Sequence, residues 1–135
     1  AAQELALHIE KASGVRLQTV VESAAPQAPA NRIYIGNSNA VRAAGIDVGK
    51  LSAETFVLRA DGKALFIAGE DKNGDPLDAD TRAGTLWGVY EWLERELHVR
   101  WLWPGDLGTY VPKMTKVTAG DVDETIAPRF FQRRL

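Results

Sequence analysis

Three groups of side chains have the types and spacing for chemistry. The acids Glu91, Glu94 and Glu96 cluster in "YEWLEREL", and paired carboxyls cleave glycosidic bonds when they face each other across a sugar, about 5–9.5 Å apart in a cleft. Successive acids on an outer helix face form no cleft, and Glu91 stands at the i,i+4 spacing of an ion pair with Arg95, so the run reads as a solvated surface. The second group is "DKNGDPLDAD", where Asp71, Asn73, Asp75, Asp78 and Asp80 offer oxygen ligands at short intervals. Its glycine stands at the fourth position and not the sixth, and no glutamate follows at the twelfth, so a loop of helix-capping acids is preferred to a calcium site. The third group is aromatic. Trp87, Trp92, Trp101 and Trp103 all fall between Arg82 and Gly108, with Tyr110 just beyond, and such rings either fill a core or stack on a ligand.

Other chemistries find little support. His8 and His98 are far apart in sequence and expected at helix surfaces or ends, no G-x-S-x-G occurs, and there is no cysteine. A nucleophilic triad, a thiol nucleophile and a histidine metal site are therefore not assigned. "GNSN", Gly36 to Asn39, follows a strand and precedes a helix, where backbone N–H groups bind anions. It lacks the lysine and glycines of a phosphate loop and reads as an N-cap. No catalytic residue, metal or cofactor is assigned to the chain.

The elements that must position these groups follow from periodicity. Leu5, Ile9 and Ala12 share one face of a helix over Ala2–Ser13, closed by Gly14. "VRLQTVVE", Val15 to Glu22, alternates as a strand, and the prolines at 26 and 29 make the next stretch a surface connection. "RIYIG" from Arg32 is a short strand, followed by a helix capped by Asn37 or Ser38 and running through Ala44 to Gly45. Thr55–Ala60 and Ala64–Ala68 flank Asp61-Gly62 as an antiparallel hairpin. The stretch from Glu70 to Asp80 is a loop, and Asp78 or Asp80 caps a second long helix from Thr81 to about Leu97. Leu86, Val89, Tyr90, Leu93 and Leu97 form its apolar face. Gly84 and Gly88, each about 1 kcal/mol worse than alanine inside a helix, imply a close approach of that helix to a sheet or another helix. Short strands are expected over Val99–Leu102, Thr109–Val111 and Lys116–Ala119. In the extended "RWLWPG", Trp101 and Trp103 project to the same, buried side. Trp87 and Trp101 read as structural, while Trp92 and Trp103 are less fixed.

Composition bounds the function classes. A chain of 135 residues with 45% hydrophobic and 25% charged residues suits one globular core. The net charge of −2, with acids interrupting the basic residues from Arg82 to Lys116, supplies no field for nucleic acid or anionic membrane. No apolar run approaches the ~20 residues of a membrane span, and the start of the chain lacks the regions of a signal peptide. Neither nucleic acid nor membrane is expected as a partner.

"RAGTLWGVYEWLERELHVRWLWPGDLGTYVP", preceded by "RIYIG" and followed by "APRFFQRRL", resembles the N-terminal domain that precedes the catalytic barrel in glycoside hydrolases. The similar domains are those of α-glucuronidases of family 67 and β-N-acetylhexosaminidases of family 20. The shared pattern is R-x-G-x-x-x-G-x-Y-x-x-L-E, then R-W-x-x-P-G and a proline-containing exit. The resemblance implies an α+β domain, a mixed β-sheet with two main helices packed on one face, carrying no catalytic residues. It further implies residues 1–127 as a single accessory domain, with 128–135 starting the linker or first strand of a C-terminal barrel. Hexosaminidases have P-R-F-x-x-R-G at that exit, with the last arginine reaching the sugar. Pro128, Arg129, Phe130 and Arg133 match, and Arg134 replaces the glycine, so a substrate-binding role falls to Arg133 only with the barrel present. The expected role is structural support of a bacterial, secreted or periplasmic carbohydrate-active enzyme, its partners the barrel and, through the parent enzyme, carbohydrate. The alternative is an independent carbohydrate-binding module with Trp92, Trp103 and Tyr110 as its stacking surface. A small hydrolase using surface acids comes last.

Overall fold

The structure is a computed structural model and describes residues 1–24, 31–75, 78 and 81–129. The chain is an α+β domain built on a four-stranded mixed sheet. Helix α1 (Ala2–Ser13) is followed by strand β1 (Arg32–Ile35), the short helix α2 (Asn39–Ala43), strands β2 (Phe56–Ala60) and β3 (Ala64–Gly69), and helix α3 (Gly84–Glu96). A two-residue strand pair, β4 (Arg100–Trp101) and β5 (Thr109–Tyr110), precedes strand β6 (Val122–Ile126). The sheet order is β1-β3-β2-β6, with β1 parallel to β3 and the other pairs antiparallel, while β4 and β5 form their own ribbon.

Both faces of the sheet are covered, which is why "FVLRA" and "ALFIAG" read as nearly continuous apolar runs. Phe56, Leu58, Leu65 and Ile67 face α1 and α3, packing on Leu5, Ile9, Ala12, Val89 and Leu93. Val57, Phe66 and Ala68 face the other way, onto Val41, Ile46 and Val48 around α2. Two main helices thus share one face, and the small α2 layer covers the opposite one.

Helix α3 approaches the sheet through glycine. A Cβ built on Gly88 would lie 2.9 Å from Ile67 Cγ2 and 3.1 Å from Phe56 Cδ2. One on Gly84 would lie 2.7 Å from the Glu70 carbonyl oxygen and 2.8 Å from that of Thr55, and one on Gly69 would run into the Gly84 backbone. The helix therefore rests its backbone on the ends of β2 and β3, as the two glycines imply.

The cap of α3 differs from expectation. The helix starts at Gly84, with Ala83 at the N-cap and no side-chain bond from it. Asp71, distant in sequence, accepts 2.8 Å from the Thr85 N–H and 2.5 Å from the Thr85 hydroxyl, and that hydroxyl also accepts from the Gly69 N–H at 2.9 Å. The N-cap position expected for Asp78 is thus held by Ala83, and Asp80 lies outside the described residues. At the other end His98 adopts φ 54°, Val99 N–H donates to the Leu93 carbonyl, and Arg100 donates to that of Glu94 at 3.0 Å.

Two strand expectations fail. Val15–Val21 joins no ladder among the described residues, and Val15, Val20 and Val21 remain exposed. Lys116–Ala119 is irregular as well. The last strand is instead "VDETI", whose polar residues are held by ion pairs and not by burial: Asp123 with Arg59 at 2.8 Å and Glu124 with Arg95 at 2.8 Å. The described part of the surface connection after Glu22 is a single turn, Glu22–Ala24, and residues 25–30 lie outside the described residues.

Candidate functional site

The tryptophan-rich stretch divides between core and surface. Trp92 projects from α3 into the core and is 2% exposed, with no acceptor for its indole N–H among the described residues. It is thereby removed from the stacking surface. Its i−3 relation to Val89 puts it on the same buried side of the helix, and both belong to the core cluster that includes Leu93.

Trp87, Tyr90, Trp101 and His8 form a chain of ring contacts along α3, β4 and α1. Trp87 lies 6.0 Å from Tyr90, Tyr90 5.0 Å from Trp101, and Trp101 5.6 Å from His8, the last two edge-on as ring quadrupoles favour. Burial, assisted by the Glu4 carboxylate, raises the Tyr90 phenol above its usual range. His8 is buried and not at a helix surface, its Nδ1 2.9 Å from the Glu4 carbonyl oxygen and its Nε2 without a partner among the described residues. His98 is exposed at the end of α3, as expected. Trp101 retains 37% exposure, so it seals the ribbon against the helices without being enclosed.

Beyond Trp101 the ribbon projects as an apolar corner. Leu102 is 64% exposed, Trp103 56%, Leu107 93% and Tyr110 58%. The expected burial of Trp103 is therefore wrong, since Pro104-Gly105 turns the chain away from the core immediately after it. A Cβ on Gly108 would collide with the Trp103 backbone and indole. In the ribbon Tyr110 stands opposite Arg100 and Thr109 opposite Trp101, so Tyr110 and Trp101 project to opposite faces. The Leu102 N–H donates to the Gly108 carbonyl at 2.8 Å and the Gly108 N–H to that of Gly105 at 3.0 Å, which closes the turn. Lys113 Nζ donates to the Lys11 carbonyl and the Met114 N–H to that of Ala12, so the returning chain is tied to the end of α1. Sequence reasoning misses Leu102 and Leu107. Two leucines inside a proline-glycine-aspartate turn, where polar residues are usual, are the available signal.

The remaining candidates are structural where described. Asp71 spends both carboxylate oxygens on Thr85, and no group of three acids or histidines poised for a metal occurs among the described residues. Glu91 lies 3.9 Å from Arg95, while Glu124 makes the closer, two-pronged contact at 2.8 and 3.0 Å. That hydrogen-bonded pairing holds the Glu124 carboxyl below its usual range and raises Arg95. At "GNSN", Ser38 caps α2, and the Glu22 carboxylate takes the Asn39 and Ala40 N–H groups at 2.8 Å each. These two backbone donors, Asn39 first, hold Glu22 below its usual range. The anion at that helix end is thus the chain's own side chain. Arg133 lies outside the described residues.

Comparison with family models, with curated proteins and with solved structures found no match to this chain.

Proposed function

We propose that the chain is a non-catalytic accessory domain of a bacterial carbohydrate-active enzyme, a glycoside hydrolase, packing against a C-terminal catalytic barrel and supporting it structurally. The observation that carries this reading is the apolar corner of Leu102, Trp103, Leu107 and Tyr110. Large apolar side chains grouped on a projecting turn are costly in water and mark a surface built to be covered. The α+β architecture, with its two long helices on one face, agrees with the domain type that the R-x-G-x-x-x-G-x-Y and R-W-x-x-P-G pattern resembles. On this reading the enzyme works outside the cytoplasm, Arg133 enters the barrel's sugar site, and glycan specificity belongs to the barrel.

The test compares the chain alone with the proposed parent enzyme on a panel of aryl glycosides. The chain alone releases no aglycone. The parent does, and Leu107→Asp in the corner lowers its melting temperature while leaving that of the isolated chain unchanged. Hydrolysis by the isolated chain, or a parent indifferent to the substitution, overturns the reading.

A second reading has one observation in its favour, the exposure of Trp103 and Tyr110, either of which can stack on a sugar ring. Saturable glycan binding by the isolated chain, lost on Trp103→Ala, would establish it in place of the first.

A further inference from the structure

Asparagine is thermolabile because the backbone nitrogen of the next residue attacks its carboxamide carbon and expels ammonia. The closure is intramolecular and needs no enzyme, so its rate is set by how free that nitrogen and that carboxamide are. The chain has four asparagines, Asn31, Asn37, Asn39 and Asn73.

Three of them are held at the atoms the closure uses. After Asn31, the Arg32 N–H donates to the Lys63 carbonyl at 3.2 Å as β1 enters the sheet. After Asn37, the Ser38 N–H donates to the Gly36 carbonyl at 3.0 Å, and Asn37 Oδ1 accepts from Arg42 at 2.6 Å. After Asn39, the Ala40 N–H donates to the Glu22 carboxylate at 2.8 Å, while Asn39 Oδ1 accepts from the other terminal nitrogen of Arg42 at 2.6 Å.

Asn73 differs on both counts. It is exposed together with Gly74 in the loop between β3 and α3, and among the described residues neither the Asn73 side chain nor the Gly74 N–H makes a hydrogen bond. The loop is closed at its base, where the Lys72 N–H donates to the Arg82 carbonyl at 2.9 Å and Asp71 bridges to Ala83. Position 74 requires glycine, because a Cβ there would run into the Thr81 hydroxyl. The same missing Cβ leaves the nitrogen of residue 74 unhindered beside the Asn73 carboxamide.

We propose that Asn73 is a site of spontaneous covalent modification, converted through a cyclic imide to aspartate and isoaspartate. The Gly74 nitrogen gives up its proton to solvent and bonds to Asn73 Cγ. The Cγ–Nδ2 bond breaks, and that nitrogen takes up a proton and leaves as ammonia. Water then opens the ring. Addition at Cγ restores the ordinary backbone with an aspartate side chain, and addition at the main-chain carbonyl carbon leaves the backbone running through the side chain as isoaspartate. Either product adds a negative charge to a loop that already carries Asp71, Asp75 and Asp78. Asp71, and not Asn73, holds Thr85 at the start of α3, so the fold survives the change.

The test incubates the folded chain in warm, mildly alkaline buffer and follows each asparagine by peptide mass spectrometry, with isoaspartyl methyltransferase labelling to identify isoaspartate. Asn73 is expected to convert about tenfold faster than Asn31, Asn37 or Asn39, the effect of a free N–H against one held in a hydrogen bond. A parallel incubation in guanidinium separates the fold from the dipeptide. Unfolding releases the Ser38 N–H, so conversion at Asn37 rises about tenfold, whereas conversion at Asn73, already free, changes little. Asn73→Gln, whose longer side chain closes a larger ring more slowly, removes the fast conversion and leaves the melting temperature unchanged. An Asn73 that persists in the folded chain as long as Asn37 overturns the proposal, as does fast isoaspartate labelling that survives in Asn73→Gln. Acceleration of Asn73 on unfolding as large as that of Asn37 also overturns it, because the folded loop then shields the dipeptide.

Discussion

Replacing Gly88 by leucine loads a close helix–sheet contact of the domain. Leucine gains roughly 0.8 kcal/mol of helix propensity over glycine. Against this, its Cβ alone would stand 2.9 Å from Ile67 Cγ2 and 3.1–3.2 Å from the Phe56 ring. Ile67 is 0% exposed and Phe56 6%, so neither has free space to move into, and three further carbons must still be placed. Overpacking of a filled core costs about 1–3 kcal/mol, and displacement of two buried groups argues for the upper end. The net loss is about 2 kcal/mol, which for a domain of this length lowers the melting temperature by roughly 6–10 °C. The assay is a reversible melt followed by circular dichroism, with urea unfolding as a check. Gly88→Ala serves as the internal control: its propensity gain offsets a small shift of the Ile67 methyl group, leaving stability within about 1 kcal/mol. Gly84→Ala is expected to be worse than Gly88→Ala, because its Cβ would meet the backbone of Glu70 and Thr55, which cannot rotate away. A Gly88→Leu variant melting within a degree or two of the parent chain would refute the reasoning.

Asp71→Ala removes both bonds that fix Thr85 at the start of α3 and should cost about 1–2 kcal/mol in the same melts. Asp71→Asn, which keeps one acceptor, should lose less. Calorimetric titration with calcium should show no saturable heat, since Asp71 is turned toward α3; binding that disappears in Asp71→Ala and Asp75→Ala would contradict this. The folded-state depression of Glu22 makes its contribution to stability complete above its ordinary value of 4.5 and lost as pH falls through the lower folded value. Glu22→Gln should therefore lower stability at neutral pH and flatten the acid limb of the stability curve below pH 4.5, and an acid limb identical to that of the parent chain would count against the interaction.

The periodic and glycine-marked parts of the fold are legible in the sequence. Leu5, Ile9 and Ala12 mark α1, Asp61-Gly62 marks the hairpin, and Gly84 and Gly88 mark the contact between α3 and the sheet, because each rests on local spacing or a local steric demand. The failures involve long-range partners. No strand is expected over "VDETI" because its polar residues are held in the sheet by Arg59 and Arg95, 64 and 29 residues away in sequence. "VRLQTVV" looks like a strand because alternation reports which faces differ in polarity and says nothing of whether an edge is available. Trp92 and Trp103 cannot be sorted by composition. One follows the buried stripe of a helix, and the other sits just before a proline-glycine turn that carries it into solvent. The expectation for His8 fails for a related reason: a lone polar residue on an apolar helix face gives no sign of the neighbouring ring that covers it.

Amide exchange across Leu102–Tyr110, measured in the isolated chain and in the proposed parent enzyme, tests the accessory-domain reading most directly. Exchange at these amides should be fast in the isolated chain, where the corner meets water, and at least tenfold slower in the parent, where the barrel covers it, while α1 and the β2–β3 hairpin exchange alike in both. Equal exchange of Leu102–Tyr110 in the two proteins would contradict the reading, since the apolar corner would then face solvent in the very enzyme it is proposed to support.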